Sequence, residues 1–191
     1  MQALIESWKP KKKKMVKRDD KAYKQCLEWA TSTLTELLDY YRTQVFEEDM
    51  TARLKRDQMD QTIRRYQGYA IQGRFKAHYF QKGVSLAKKD CIFEHVIPEG
   101  QIRDMLIDGV LTINQALNSP CCIVSRDSNA MLNARGMHDS NATPWNFFRR
   151  YKEGMVSVTG AVPEFETYNG QVIPDLATWS LADHYKMFDV K

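Results

Sequence analysis

No window of this sequence approaches the roughly 18 consecutive apolar residues of a membrane span. Its start, "MQALIESWKPKKKK", lacks the apolar stretch of a secretory signal. These two absences point to a cytoplasmic protein with no membrane partner. The four cysteines, Cys26, Cys91, Cys121 and Cys122, contain no C-x-x-C pair, which argues against a zinc knuckle or ribbon. Cys121 and Cys122 are adjacent, bridge poorly and lie in an apolar run, so all four are expected as reduced, mostly buried thiols. Internal repeats are missing, and a lysine run is the only low-complexity segment. What remains is an ordinary globular composition, 43% hydrophobic and 11% aromatic over 191 residues, which sets the chain apart from disordered sequences. A chain of this length buries roughly 70% of its extended surface, so folding requires no disulfide or metal staple.

The net charge of +4 is unevenly placed. Residues 9–18, "KPKKKKMVKR", hold seven basic residues and no acidic one. Residues 1–18 therefore read as a flexible basic arm. Its Lys11, Lys12, Lys13 and Lys14 can lie along nucleic-acid phosphates or an acidic partner, or can serve solubility alone.

A helical region follows, residues 19–83. Leu27, Ala30, Leu34, Leu37, Leu38, Tyr41 and Val45 recur at spacings of three and four, which marks an apolar stripe, with Asp19 or Asp20 able to cap its start. The segment "FEEDMT" breaks the pattern, and Asp49 or Thr51 can cap a second helix through Leu54, Met59, Ile63 and Tyr66. That helix carries Arg53, Lys55, Arg56, Arg64 and Arg65 against Asp57 and Asp60, a face suited to solvent or to phosphate.

The chemistry concentrates in residues 84–155. "CIFEHVIP" (91–98) is strand-like and carries Glu94 and His95 side by side just before Pro98. One or two short helices are expected around Ile102, Leu106 and Leu111. A second strand-like run, "PCCIVS" (120–125), leads straight into "RDSNAMLNARG", where Ser125 can cap, Asp127 sits in the first turn and Gly136 can stop the helix. The order is strand, connection, strand, helix. A neutral imidazole such as that of His95 is suited to taking a proton from water. A carboxylate with an amide or imidazole can hold a cation that stabilises charge on a phosphate. Glu94 and His95 point to opposite faces of an extended strand, so they meet one site only if the strand twists or ends there. Beyond this region, "TPWNFFRRY" (143–151) suggests a short helix, "MVSVTGAVPEF" (155–165) a strand and "TWSLADHYKMF" (178–188) a helix. Residues 156–191 are expected as an extension packed on the core. His78, His138 and His184 suit structural roles.

At this point the sequence resembles the HNH nucleases, the ββα-metal superfamily of phages and bacteria. "FEHVIP" looks like their first motif, an acid and the general-base histidine at the end of the first strand. "CIVSRDSNAMLN" looks like their second strand entering the helix, and "LNARGM" with "PWNFFRRYKEGM" like the continuation in some phage members. The likeness spans roughly residues 90–155. It implies an α+β fold, with the helical N-terminal region followed by a ββα-metal core and a mixed C-terminal extension. It places His95 as general base, Glu94 and Asn129 as ligands of one divalent metal ion, and Leu132 as the apolar anchor. Asn133 is a second-tier candidate. The middle asparagine of the family, which orients the histidine-bearing loop, has two candidates, Asn114 and Asn118, of which Asn118 is nearer the second strand. Glu in place of the commoner Asp lengthens the metal arm, and Asn129 in place of His favours Mg²⁺ or Mn²⁺. Arg126, Arg135, Arg149 and Arg150 flank the site and can hold phosphates as planar forks.

Two functions from different classes follow. The first is a metal-dependent endonuclease acting on DNA, working in a bacterial or phage-infected cytoplasm. The second is a non-catalytic DNA- or protein-binding module, of regulatory or anti-defence type, on a nuclease-like scaffold. A helical assembly protein that forms a homodimer through the Leu27–Val45 stripe is a third option.

Overall fold

The stripe that opens at Leu27 is realised as helix α1, Lys21–Thr43, which buries Ala30, Leu34, Leu37, Leu38 and Tyr41. The structure is a computed structural model that describes residues 21–43, 50–70, 77–87, 89–136, 146–156 and 160–191. The basic arm with Lys11, Lys12, Lys13 and Lys14 lies outside the described residues, as do Val45, Asp49, His138 and the Thr143-Pro144 pair.

Helix α2, Met50–Ala70, runs antiparallel to α1. Tyr41 Oη donates to the Ala52 carbonyl at one end (2.6 Å), and Tyr23 and Tyr66 share a 3.0 Å hydroxyl contact at the other. Met59, Ile63 and Tyr66 are buried as expected, but Leu54 is 62% exposed. The reason is helical phase: Leu54 stands five residues before Met59, roughly 140° around the helix from the buried side. Helices α3, Glu99–Ile107, and α4, Ile113–Leu117, form the connection between the two strand-like runs. Helix α2 docks on them through Arg103 Nη1 to Asp60 Oδ2 (2.7 Å) and Gln67 Nε2 to Ser119 Oγ (2.7 Å).

Four strands, β1 Tyr79–Gln81, β2 Cys91–His95, β3 Cys121–Ser125 and β4 Phe165–Thr167, form one mixed sheet in the order β2-β3-β1-β4. β2 pairs antiparallel with β3, with Cys91 opposite Ser125 and His95 opposite Cys121. β1 runs parallel to β3 and antiparallel to β4. The sheet thus takes one strand from before residue 84 and one from after residue 155, crossing both of the expected segment boundaries. One hydrophobic cluster, from Ala30 to Tyr185, also joins these segments.

Helix α5, Arg126–Ala134, follows β3 without a loop. Helices α6, Arg149–Gly154, and α7, Leu181–Met187, complete the fold. Among the described residues of the expected strand over 155–165, only Phe165 lies in a strand. Gly160 adopts a positive φ of 81°, and Pro163 has no N–H to offer a ladder, so the described residues between them stay outside the strand. The architecture is mixed α and β, with the helices leading. All four cysteines are free thiols, three of them buried. No helix among the described residues is long and apolar enough to cross a membrane.

Candidate functional site

Side chains alternate along β2, and the two faces of the sheet differ. Ile92 and Glu94 share the face of the main cluster with Cys122 and Val124. Cys91 and Phe93 lie on the other face with Ile123, beneath Phe80, Val84 and Leu86. His95 continues the second series, and its ring meets Phe93 edge-on with centroids 5.4 Å apart. β2 ends at His95, as the placement of Pro98 anticipates.

Glu94 is 6% exposed. Tyr151 Oη donates to its Oε2 at 2.9 Å, and Arg150 Nη2 lies 3.5 Å from the same oxygen. Arg150 Nη2 also donates to Tyr151 Oη (2.7 Å) and to the His95 carbonyl (3.0 Å). Burial pushes the Tyr151 phenol well above its ordinary pKa, so it stays protonated and donates to the carboxylate. Burial alone would lower Arg150, but Tyr151 and Glu94 outweigh it and keep the guanidinium charged. Arg150 was expected to present a fork to phosphate. At 2% exposure it turns inward and ties together Glu94 and the end of β2.

His95 is half-buried, and its Nδ1 lies 3.0 Å from Glu99 Oε1. Glu99 opens helix α3 directly after Pro98, so the chain doubles back and returns this carboxylate to the imidazole. The same oxygen accepts Arg64 Nε from α2 at 2.8 Å. Burial lowers the His95 pKa, Glu99 opposes that, and Arg64 adds to the lowering. Burial works to raise Glu99, but His95, Arg64 and its own backbone N–H prevail and hold its carboxyl below the usual range. The pair meets as a charge contact, and a carboxylate oxygen this close disfavours a lone pair on Nδ1 and so favours the Nδ1–H form of the neutral ring. Nε2 is then a lone-pair nitrogen. It is buried and has no hydrogen-bond partner among the described residues.

Asn129 is positioned from β1 and β3. Ser125 caps α5, its Oγ accepting the Ser128 N–H at 3.0 Å. Gln81 of β1 clamps the same turn, with Oε1 accepting Ser125 N–H (2.9 Å) and Nε2 donating to Ser128 Oγ (2.8 Å). Leu132 is fully buried in the main cluster, which lays α5 on the face that carries Glu94. Asn129 stands one turn before Leu132 on the same side of the helix. Its Oδ1 is buried and has no partner among the described residues. Asn133 is exposed.

Glu94 and Asn129 therefore share the helix-covered face of the sheet, while the His95 ring leaves the last residue of β2 on the side of Phe93. No hydrogen bond among the described residues joins Asn129 to either of them. Asn118 sits at the end of α4, and its Nδ2 donates to the Asn114 carbonyl (2.8 Å) and Oδ1 (2.9 Å), closing the helix. Neither asparagine candidate for orienting His95 bonds to that imidazole: Asn114 Nδ2 donates to the Lys191 carbonyl.

Arg126 is exposed beside a cleft of about 480 Å³ lined in part by Lys82, Ser85, Lys89 and Asp127. Arg135 donates to the carbonyls of Glu153 and Val156, and Arg149 pairs with Glu153. His184 is wholly internal, with Nδ1 to Tyr79 Oη and Nε2 to the Asn118 carbonyl, both 2.8 Å. His78 Nδ1 accepts the Cys121 N–H. Both match the structural roles expected of them.

From the sequence, Glu99 and Tyr151 had no assigned role, and Arg64 only a place on a face suited to solvent or to phosphate. The signal for Glu99 was present: a proline opening a helix three residues after His95 returns the next residue to the strand end. Arg64 and Tyr151 are remote in sequence and carry no local mark. No family model, curated protein or solved structure matches the chain.

Proposed function

We propose that this chain is a metal-dependent endonuclease of the HNH type that hydrolyses DNA phosphodiester bonds. One observation carries the reading: His95 Nε2 and Asn129 Oδ1 are both buried with no partner among the described residues. Buried polar atoms are nearly always paired, and although Asp60 Oδ1 and Gln67 Oε1 share this state, these two fall in the two segments of the resemblance, where a bound cation and its water would pair them. In this reading β2, β3 and α5 are the ββα core. Glu94 and Asn129, on one face, are the oxygen donors for a hard divalent cation, Mg²⁺ or Mn²⁺. Bound there, the cation would supply charge stabilisation to the phosphate and the departing oxygen. His95 takes the proton of the attacking water on Nε2, as its neutral state and fixed Nδ1 allow. Arg126, Arg135 and Arg149 flank the site for phosphate contacts, and the lysine arm and helices α1 and α2 grip DNA. The α1 stripe is covered within the chain, so the helices are assigned to DNA rather than to a second copy.

The engagement of Glu94 by Tyr151 and Arg150 favours a second reading. A carboxylate already matched by a buried guanidinium suits a non-catalytic DNA- or protein-binding module on a nuclease-like scaffold. Supercoiled plasmid separates the two. The nuclease converts it with Mg²⁺ or Mn²⁺ and fails in chelator. The binding module shifts its mobility in a salt-sensitive way, with or without chelator, and leaves it uncut.

A further inference from the structure

The three described histidines are not alike. His184 has both ring nitrogens within hydrogen-bond distance of a partner, Tyr79 Oη at one and the Asn118 carbonyl at the other. That is how a histidine serving only the fold satisfies itself in a buried setting. His95 has one nitrogen held and the other left bare. The held one is Nδ1, and its partner is the Glu99 carboxylate rather than a carbonyl or an amide. Glu99 is itself anchored from a different helix, because Oε1 also accepts Arg64 Nε at 2.8 Å. It stands at the first turn of α3, where backbone N–H groups and the helix dipole favour a negative charge. Asn118, the expected orienting residue, is meanwhile bonded to Asn114.

We infer that Glu99 is the positioning residue of His95: it holds the imidazole as the Nδ1–H tautomer, aims Nε2, and takes the place that the resemblance gives to an asparagine. As a statement about catalysis, this rests on the nuclease reading. The hold on the ring does not. At 3.0 Å an ionised carboxylate oxygen disfavours a lone pair on Nδ1, so the proton sits there and Nε2 is left as the acceptor that a general base needs. A carboxylate behind an imidazole also restricts its rotation. Arg64 extends the arrangement into α2 and ties the helical region to the strand end.

The test combines a spectroscopic and a kinetic measurement. Long-range proton–nitrogen correlation on ¹⁵N-labelled parent protein at neutral pH reads the His95 tautomer directly. The expected result is Nδ1–H in the parent and a shift toward Nε2–H, the form favoured in water, in Glu99→Ala. Plasmid cleavage by Glu99→Ala falls about 10–100-fold in kcat with KM for DNA held. Glu99→Gln, whose Oε1 still presents a partial negative charge to Nδ1–H, keeps the tautomer and most of the rate. An Nε2–H tautomer in the parent overturns the inference without recourse to any variant that fails to fold. So does a tautomer that Glu99→Ala leaves unchanged, and in either case cleavage by the parent would leave the nuclease reading standing. Conversely, a parent that never cuts while its tautomer answers to Glu99 removes the nuclease reading and keeps the hold on the ring.

Discussion

Arg150 concentrates the energetic risk of the site in one side chain. It is buried with Glu94, and its Nη2 reaches the His95 carbonyl and Tyr151 Oη as well. A buried ion pair adds little over a well-packed apolar pair, but breaking one leaves an uncompensated charge. Arg150→Met is therefore expected to lower stability by about 3–5 kcal/mol in urea unfolding. The double change with Glu94→Gln should recover most of that loss, as a double-mutant cycle would show. His184 supplies the pH dependence. Burial, opposed only by its bond to the Asn118 carbonyl, pushes its pKa down from 6.5 to about 4. The unfolded chain takes up that proton near the ordinary value, so the stabilising contribution is complete above it and is lost as pH falls toward 4. His78, buried and next to His184, is lowered too and acts in the same direction. The urea midpoint should fall between about pH 7 and about pH 5, and a midpoint that rises on acidification would contradict this assignment. At this scale the sequence revealed some roles and hid others. Ser125, Asp127 and Gly136 announced the limits of α5, because caps and stops are local chemistry. The inward turn of Arg150 was hidden, since an arginine beside another arginine looks the same whether it faces solvent or a carboxylate 56 residues away.

Among the elements, the junction of β3 and α5 does most to place Asn129. Ser125 is at once the last residue of the strand, the cap of the helix and the partner of Gln81. Ser125→Ala removes the cap hydroxyl, which is expected to lower stability by about 1 kcal/mol and to loosen the first turn of α5. Amide exchange at Ser128 should accelerate by more than exchange in β3; equal changes in both would place the loss elsewhere. The long helices were legible because their stripes repeat over many turns. Strand β1 was not, and β4 was foreseen only at Phe165, since each is three residues long, too short for a period of two to emerge, and both are defined by pairing with distant segments. The ends of β2 and β3 were legible from their flanks: Pro98 ended one and Ser125 turned the other into a helix.

For the whole molecule, one sheet and one hydrophobic cluster unite segments that composition alone would separate. Helix α2 contributes Arg64 to the His95 corner, β1 contributes Gln81 to the start of α5, and α6 contributes Arg150 and Tyr151 to Glu94. The acid–imidazole pair at residues 94 and 95 was visible in the sequence, whereas Asn129 was singled out only through the resemblance. The two distinct sets of partners behind that pair needed the fold. The central claim is that His95 acts as a general base on DNA. It is tested most directly by comparing supercoiled-plasmid cleavage by the parent and by His95→Ala in Mn²⁺, with circular dichroism confirming that both are folded. The account predicts chelator-sensitive cutting by the parent and a loss of about 10²–10⁴-fold in the variant; equal cutting by the two proteins would contradict it.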